Sequence, residues 1–249
     1  MKIDLDLVNQ SLENKILPTI RFYQWQPFAI SLGHHQSIET INLEKCKFDG
    51  VDVVKRSTGG SAVFHSEELT YSIVLSGREL SLQKTYSEIS NALILGLKLL
   101  GINADCKQSE LEYLSPFKNQ NEISCFNSTS KYEIQFEGKK IIGSAQRIFR
   151  KKGINAILQH GSILLGPKYL EIINYLNFNS EFEKKDLLNN MRRRTINISK
   201  ARNKKTTPNE VIEKFVSAFK QSWGIEKFEI TKDIQLINKP KLGQEQLVL

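Results

Sequence analysis

Four short segments of this 249-residue chain carry residue types and spacings able to do chemistry. The first is Lys55-Arg56-Ser57-Thr58-Gly59-Gly60-Ser61-Ala62-Val63-Phe64-His65, where an arginine and a histidine flank paired glycines. Having no side chains, Gly59 and Gly60 let backbone amides come close to a ligand, and the same pair equally makes a plain tight turn. The segment lacks the Lys-Ser/Thr ending of a P-loop, so it gives no argument for a nucleotide. The second is Lys139-Lys140-Ile141-Ile142-Gly143-Ser144-Ala145-Gln146-Arg147. Lys139 reads as a solvated turn lysine. Lys140 precedes two isoleucines, which indicate a buried strand and an ammonium directed into a cleft.

The third segment is Ser124-Cys125-Phe126-Asn127-Ser128-Thr129-Ser130. Most cysteines are inert, small, buried hydrophobes, and Cys46 and Cys106 fit that description. Cys125 sits in a Ser/Asn/Thr-rich stretch that reads as a loop. There a nearby lysine can lower a thiol's pKa toward the reactive thiolate. The fourth, Gln159-His160-Gly161-Ser162, places a histidine and a glycine inside an apolar strand. Gly161 suggests close backbone approach. His160 reads either as a satisfied core histidine or as a residue that shapes a site.

Alternating and helical apolar spacing supplies the elements that must position these groups. A helix is predicted over 5–17, an extended segment over 21–32, a short helix at 41–46 and a strand at 51–56 running into the glycine turn. Further strands fall at 62–64 and 69–75. The helix over 82–100 is stopped by Gly101. Strands at 131–136 and 140–142 join through Glu137-Gly138-Lys139, which suits a hairpin. A strand at 156–165 follows, then a more helical C-terminal third with a helix over 208–223, Pro near its start and Gly224 after its end. Strands in runs with interspersed helices predict an α+β fold with mixed or antiparallel sheets flanked by helices. The chain is expected to form a single domain over 1–249, in which the helical part from about 170 to 249 forms at most a small subdomain.

Composition narrows the function classes. Hydrophobic residues make up 40% and charged residues 25%, with a formal charge of +8. A basic excess favours acidic partners, and Arg192-Arg193-Arg194 is one of three basic clusters. Three cysteines without metal-ligand spacing argue against a disulfide framework or zinc site. No apolar run is long enough to span a membrane, and Met1-Lys2-Ile3-Asp4-Leu5-Asp6 lacks a secretory core, so a cytoplasmic protein is expected.

Taken in order, the segments resemble a known family. Arg56-x-Thr58-Gly59-Gly60-x-Ala62-Val63-x-His65 with Glu68-Leu69-Thr70-Tyr71-Ser72 resembles the signature of the lipoate–protein ligases and octanoyltransferases. Gly138-x-Lys140-Ile141-x-Gly143-Ser144-Ala145-Gln146 resembles that family's lysine motif, and Gln159-His160-Gly161-Ser162-Ile163-Leu164-Leu165 its following strand. Cys125-Phe126-x-x-x-Ser130-x-Tyr132-Glu133 resembles the cysteine stretch of one transferase branch. The chain departs from the family at its start, where a strand usually precedes the first helix.

The resemblance implies a biotin/lipoate ligase-like catalytic domain with Cys125 as nucleophile and Lys140 as its activating partner. Arg56, Gly59, Gly60, His65, Gly143, Ser144, Ala145 and His160 become the implied substrate-binding residues, with Val63 and Ile142 as walls for the acyl chain. The implied reaction moves an octanoyl or lipoyl group from acyl carrier protein to a lysine of a lipoyl domain or glycine-cleavage H-type protein. It needs no metal, cofactor, nucleic acid or membrane, and a monomer is expected. The alternatives are an ATP-dependent lipoate–protein ligase, an amidotransferase between lipoyl proteins, and a non-catalytic basic binding module.

Overall fold

A computed structural model describes residues 1–107, 133–225 and 247–248. Helix α1 (Lys2–Leu12) leads into β1 (Thr19–Tyr23) and β2 (Ala29–Leu32). A 3-10 turn (Ile38–Thr40) precedes α2 (Leu43–Asp49), β3 (Asp52–Lys55), β4 (Val63–His65), β5 (Glu68–Gly77) and α3 (Leu82–Leu99). Then come β6 (Asp105–Lys107), β7 (Glu133–Phe136), β8 (Lys139–Lys151) and β9 (Ile154–Leu164). A 3-10 segment (Pro167–Asn174), α4 (Glu181–Arg194), α5 (Ile198–Ala201), α6 (Pro208–Trp223) and the short β10 (Leu247–Val248) complete the described elements.

The described strands form two sheets. The larger has the order β10-β1-β5-β9-β8-β7-β6, with every neighbour antiparallel. The smaller, β3-β2-β4, pairs β2 parallel to β3 and antiparallel to β4. This is the α+β arrangement of mixed sheets and helices that the sequence predicts. Among the described residues no helix is long and apolar enough to cross a membrane.

Side-chain alternation decides which helix covers which face of the large sheet. Leu69, Tyr71 and Ile73 of β5 pack with Ile89, Leu93 and Leu97 of α3 and with Phe215 and Phe219 of α6. Val74 points the other way, to Leu7, Val8 and Leu12 of α1. Helices α3 and α6 meet closely at Gly96, where a Cβ would come within 2.9 Å of the Phe215 ring. The late helix therefore shares the main core. A further cluster joins Ile30, Leu32 and Phe64 of the small sheet to Tyr169, Ile172, Leu187 and Met191.

The local signals are physical ones. Thr207 caps α6 by accepting from the Glu210 amide, Pro208 fills its first position, and Gly224 ends it in the left-handed conformation. Glu137 and Gly138 both take positive φ, 51° and 71°, which suits the tight turn between β7 and β8. Beyond that turn Ile134 pairs with Ile142 but Gln135 pairs with Lys140, so Ile141 is an extra residue in β8. Such a bulge breaks the alternation. Ile141 and Ile142 both enter the core under α3 and α6, and Lys140 turns to the opposite face.

Candidate active site

That opposite face borders a cleft between the small sheet and strands β5, β9 and β8. It encloses about 430 Å³, part of it open to solvent. Ser31, Arg56, Val63 and His65 line it from the small sheet and the segment beside it, and Thr70, Lys140, Gly143, Ser144, Ala145, His160 and Ser162 from β5, β8 and β9. The fold thus brings Arg56, His65, Lys140, Gly143, Ser144, Ala145 and His160 together. Gly59 and Gly60 are exposed and stand outside the cleft wall. Ile142, expected as an acyl wall, belongs to the core on the other face, whereas Val63 does line the cleft. Cys125 lies outside the described residues.

Arg56 does not point its guanidinium at open space. It donates to Ser31 O at 2.9 Å, Ser31 Oγ at 3.1 Å, Gly59 O at 3.0 Å and Ser61 O at 2.7 Å. The planar fork of arginine ties the glycine turn to β2, which a point-charge lysine cannot reproduce. Gly60 sits at φ 92°, and its carbonyl packs where a Cβ on Gly33 would come within 1.7 Å. The paired glycines therefore serve a turn geometry and a close backbone contact.

His65 is held from both ring nitrogens: Nε2 lies 2.7 Å from Ser31 Oγ and Nδ1 2.6 Å from Glu68 Oε1. Thr70 donates to the same carboxylate at 2.6 Å, Trp25 donates to Thr70 at 2.8 Å, and the Trp25 ring stacks on His65. Arginine only donates, so Ser31 Oγ accepts from Arg56; a carboxylate only accepts, so His65 carries its proton on Nδ1 when neutral.

His160 Nε2 bonds Thr58 Oγ1, and its Nδ1 lies 3.9 Å from Asp4 Oδ2, too long for a hydrogen bond but close enough for charge to act. Burial pushes the His160 imidazole below its ordinary value despite Asp4. Asp4 Oδ1 accepts from Arg21 and Ser72, both at 2.7 Å. Burial works against ionisation of Asp4, but His160 and Arg21 outweigh it and hold the carboxyl well below the carboxylate range.

Lys140 donates from Nζ to Glu133 Oε1 at 2.7 Å, with both residues buried. Its backbone carbonyl accepts from Ile196 N at 3.0 Å, which fixes the start of β8 against the segment after α4. Sequence reasoning did not single out Asp4, Ser31, Glu68 or Glu133 as site residues. For Asp4 the signal was present: it shares the helix face of Leu7, Val8 and Leu12, where an acid needs a reason.

The chain matches the lipoyl protein ligase A/B catalytic domain over residues 1–220. It is 36% identical over 232 residues to the octanoyltransferase LipM of Brevibacillus brevis, covering 91% of this chain and 83% of that protein. It is 34% identical over 242 residues to the octanoyltransferase LipM of Bacillus subtilis, covering 94% and 85%. Among solved structures, a bi-partite lipoate protein ligase from Thermoplasma acidophilum has a TM-score of 0.69 at 21% identity, covering 92% of this chain and 82% of that one. A lipoate-protein ligase A bound with ATP has a TM-score of 0.65 at 23% identity, covering 91% and 83%. The solved structures speak for the fold, and the family match spans most of the sequence. The chain belongs to the lipoyl protein ligase A/B catalytic domain family.

Proposed function

We propose that this acyltransferase takes an octanoyl group from the thioester of an acyl carrier protein onto Cys125 and passes it to a lysine of a lipoyl domain. Octanoyl transfer in protein lipoylation accords with the octanoyltransferases it resembles over most of their length. The observation that carries the mechanism is the Lys140–Glu133 contact. The stretch that holds Cys125 ends on Glu133, the carboxylate that holds Lys140 in the cleft wall.

In the first step Cys125 sulfur attacks the donor carbonyl, the donor's C–S bond breaks, and the Cys125 proton goes to the departing thiolate. The Lys140 ammonium favours the thiolate of Cys125 and can pass that proton on. In the second step the acceptor amine forms a C–N bond, the bond to Cys125 breaks, and one proton is released. A thioester is a higher-energy acyl donor than an amide, so no ATP is required.

The cleft suits an alkyl chain. Its polar side chains bond one another: Arg56 with Ser31, Ser31 with His65, His65 with Glu68, and His160 with Thr58. What these offer a ligand is largely carbon, so an alkyl chain packs against them without breaking their hydrogen bonds. Backbone amides at Gly143–Ala145 are the candidate oxyanion donors. Exposed Arg192 and Arg193 at the end of α4 steer acidic carrier and acceptor domains. We place the reaction in the cytoplasm, carried out by a single copy of the chain. The test is transfer from octanoyl-acyl carrier protein to a lipoyl domain with ATP omitted. Modification of the acceptor supports the proposal; modification only with free octanoate and ATP contradicts it.

A further inference from the structure

Beside the glycine turn, three segments distant in sequence bring basic side chains to one rim. Lys55 ends β3 in register with Leu32, one residue before Gly33 and two before His34. His34 N donates to Thr58 O at 2.9 Å, and the His34 and His35 rings sit edge to face at 4.8 Å. From β8, Arg147 Nη1 donates to Ser57 O at 2.7 Å, which docks the guanidinium against the turn. The close packing of Gly33 on Gly60 locks these loops together, and at Gly59 the turn faces open space.

Among the described residues the rim has no counter-charge. Arg147, His35 and Lys55 are the charged groups that bear on His34, and all are basic. No carboxylate pairs with Lys55 or Arg147 among the described residues, and most of the five N–H groups of Arg147 meet no acceptor there. His34, His35 and Lys55 are exposed and Arg147 is half-buried, so the rim is open to an incoming anion.

Its placement relative to Lys140 points to one anion. Ala145 and Arg147 share a face of β8 by alternation, and the bulge at Ile141 turns Lys140 to that same face. Seven steps along the strand, one of them taken up by the bulge, separate the two cations, roughly 20 Å at strand rise. A phosphopantetheine arm, with about thirteen bonds from phosphorus to sulfur, extends roughly 16 Å at the per-bond reach of an extended chain. The remainder is within the length of a lysine or arginine side chain. We propose that His34, His35, Lys55 and Arg147 bind the phosphodiester of the pantetheine arm, which lies along β8 and delivers its thioester beside Lys140. This rests on the acyl-transfer mechanism above and identifies where its donor is gripped.

The test compares two small donors, octanoyl-pantetheine and octanoyl-4′-phosphopantetheine, on the full chain and on Arg147→Gln and His34→Gln. The wild-type chain is expected to favour the phosphorylated donor in kcat/KM by about tenfold or more, a preference that salt weakens. In both variants the ratio falls toward one. A merely structural role would lower both donors equally and keep the ratio. A wild-type ratio near one, or a ratio preserved in the variants, overturns the proposal. If the wild-type chain uses neither donor, the acyl-transfer mechanism fails first, and that outcome is distinct from a lost ratio.

Discussion

Lys140 and Glu133 form a buried pair, 2.7 Å from Nζ to Oε1, at the point where a one-residue bulge turns β8 toward the cleft. A lysine so held is fixed in direction yet can still give up a proton, whereas an arginine cannot. Replacing Lys140 by Arg or Ala is therefore expected to lower octanoyl transfer by about 10²–10⁴-fold, the usual contribution of a proton-transfer group. Glu133→Gln leaves the ammonium buried without its carboxylate and is expected to lower the melting temperature as well as the rate. Transfer rates and thermal melts of the three variants check this. A Lys140→Arg chain with near wild-type transfer would contradict the role.

Gly161 pairs with Tyr71 on one side and Ser144 on the other. Tyr71 passes over it to donate to Ser144 Oγ at 2.6 Å. A Cβ at this position would come within 2.1 Å of Gly143 O and 2.7 Å of Tyr71 Cε1. Gly161→Ala is thus expected to destabilise the fold by about 2–3 kcal/mol or more, because a backbone carbonyl cannot swing aside like a side-chain tip. Pairing it with Tyr71→Phe should recover little. A chemical-denaturation midpoint equal to wild type would refute the contact.

Acid should weaken the fold in two stages. His160 has its folded pKa pushed below the ordinary 6.5, so the unfolded chain binds that proton more readily. Its contribution is complete above about 6.5 and declines as pH falls below that. Asp4 is also held below its ordinary 3.8, and its contribution is complete above that value and fades on further acidification. Melting temperature is therefore expected to fall from pH 7 toward 5 and again below 4. Exposed His34, also shifted down, adds in the same direction as His160. In His160→Gln the upper part of the slope should shrink, and in Asp4→Asn the lower part. Parallel curves for wild type and His160→Gln would speak against the assignment.

Arg56 holds the turn through four acceptors on Ser31, Gly59 and Ser61. Arg56→Lys keeps the charge but loses the fork. The expected result is faster amide exchange over residues 57–61 and a KM for the octanoyl donor raised about tenfold, with a smaller change in kcat. Unchanged exchange across the turn would remove this account of Arg56.

The architecture was legible wherever a local signal and a tertiary need agreed. The hairpin at Glu137-Gly138 and the helix from Pro208 to Trp223 lie where turn and cap chemistry put them. Helix α4 was not singled out: it buries only Leu187 and Met191, too narrow a stripe to set a clear period. In the site, His65, His160 and Lys140 were visible as residue types, but their partners were not. Glu68 reads as an ordinary strand acid until His65, three residues back, is seen folded over it. The bulge at Ile141 is set by pairing with β7, and alternation alone would have sent Lys140 toward the core. Arg56 and the paired glycines suggested ligand contacts, whereas most of what they do is hold the turn.

The most direct measurement is the intact mass of the chain after mixing with octanoyl-acyl carrier protein in the absence of ATP, for wild type and Cys125→Ala. The account predicts one octanoyl adduct on the wild type, removed by hydroxylamine as a thioester should be and absent from Cys125→Ala. An unmodified wild-type chain, or an equal adduct on Cys125→Ala, would contradict it.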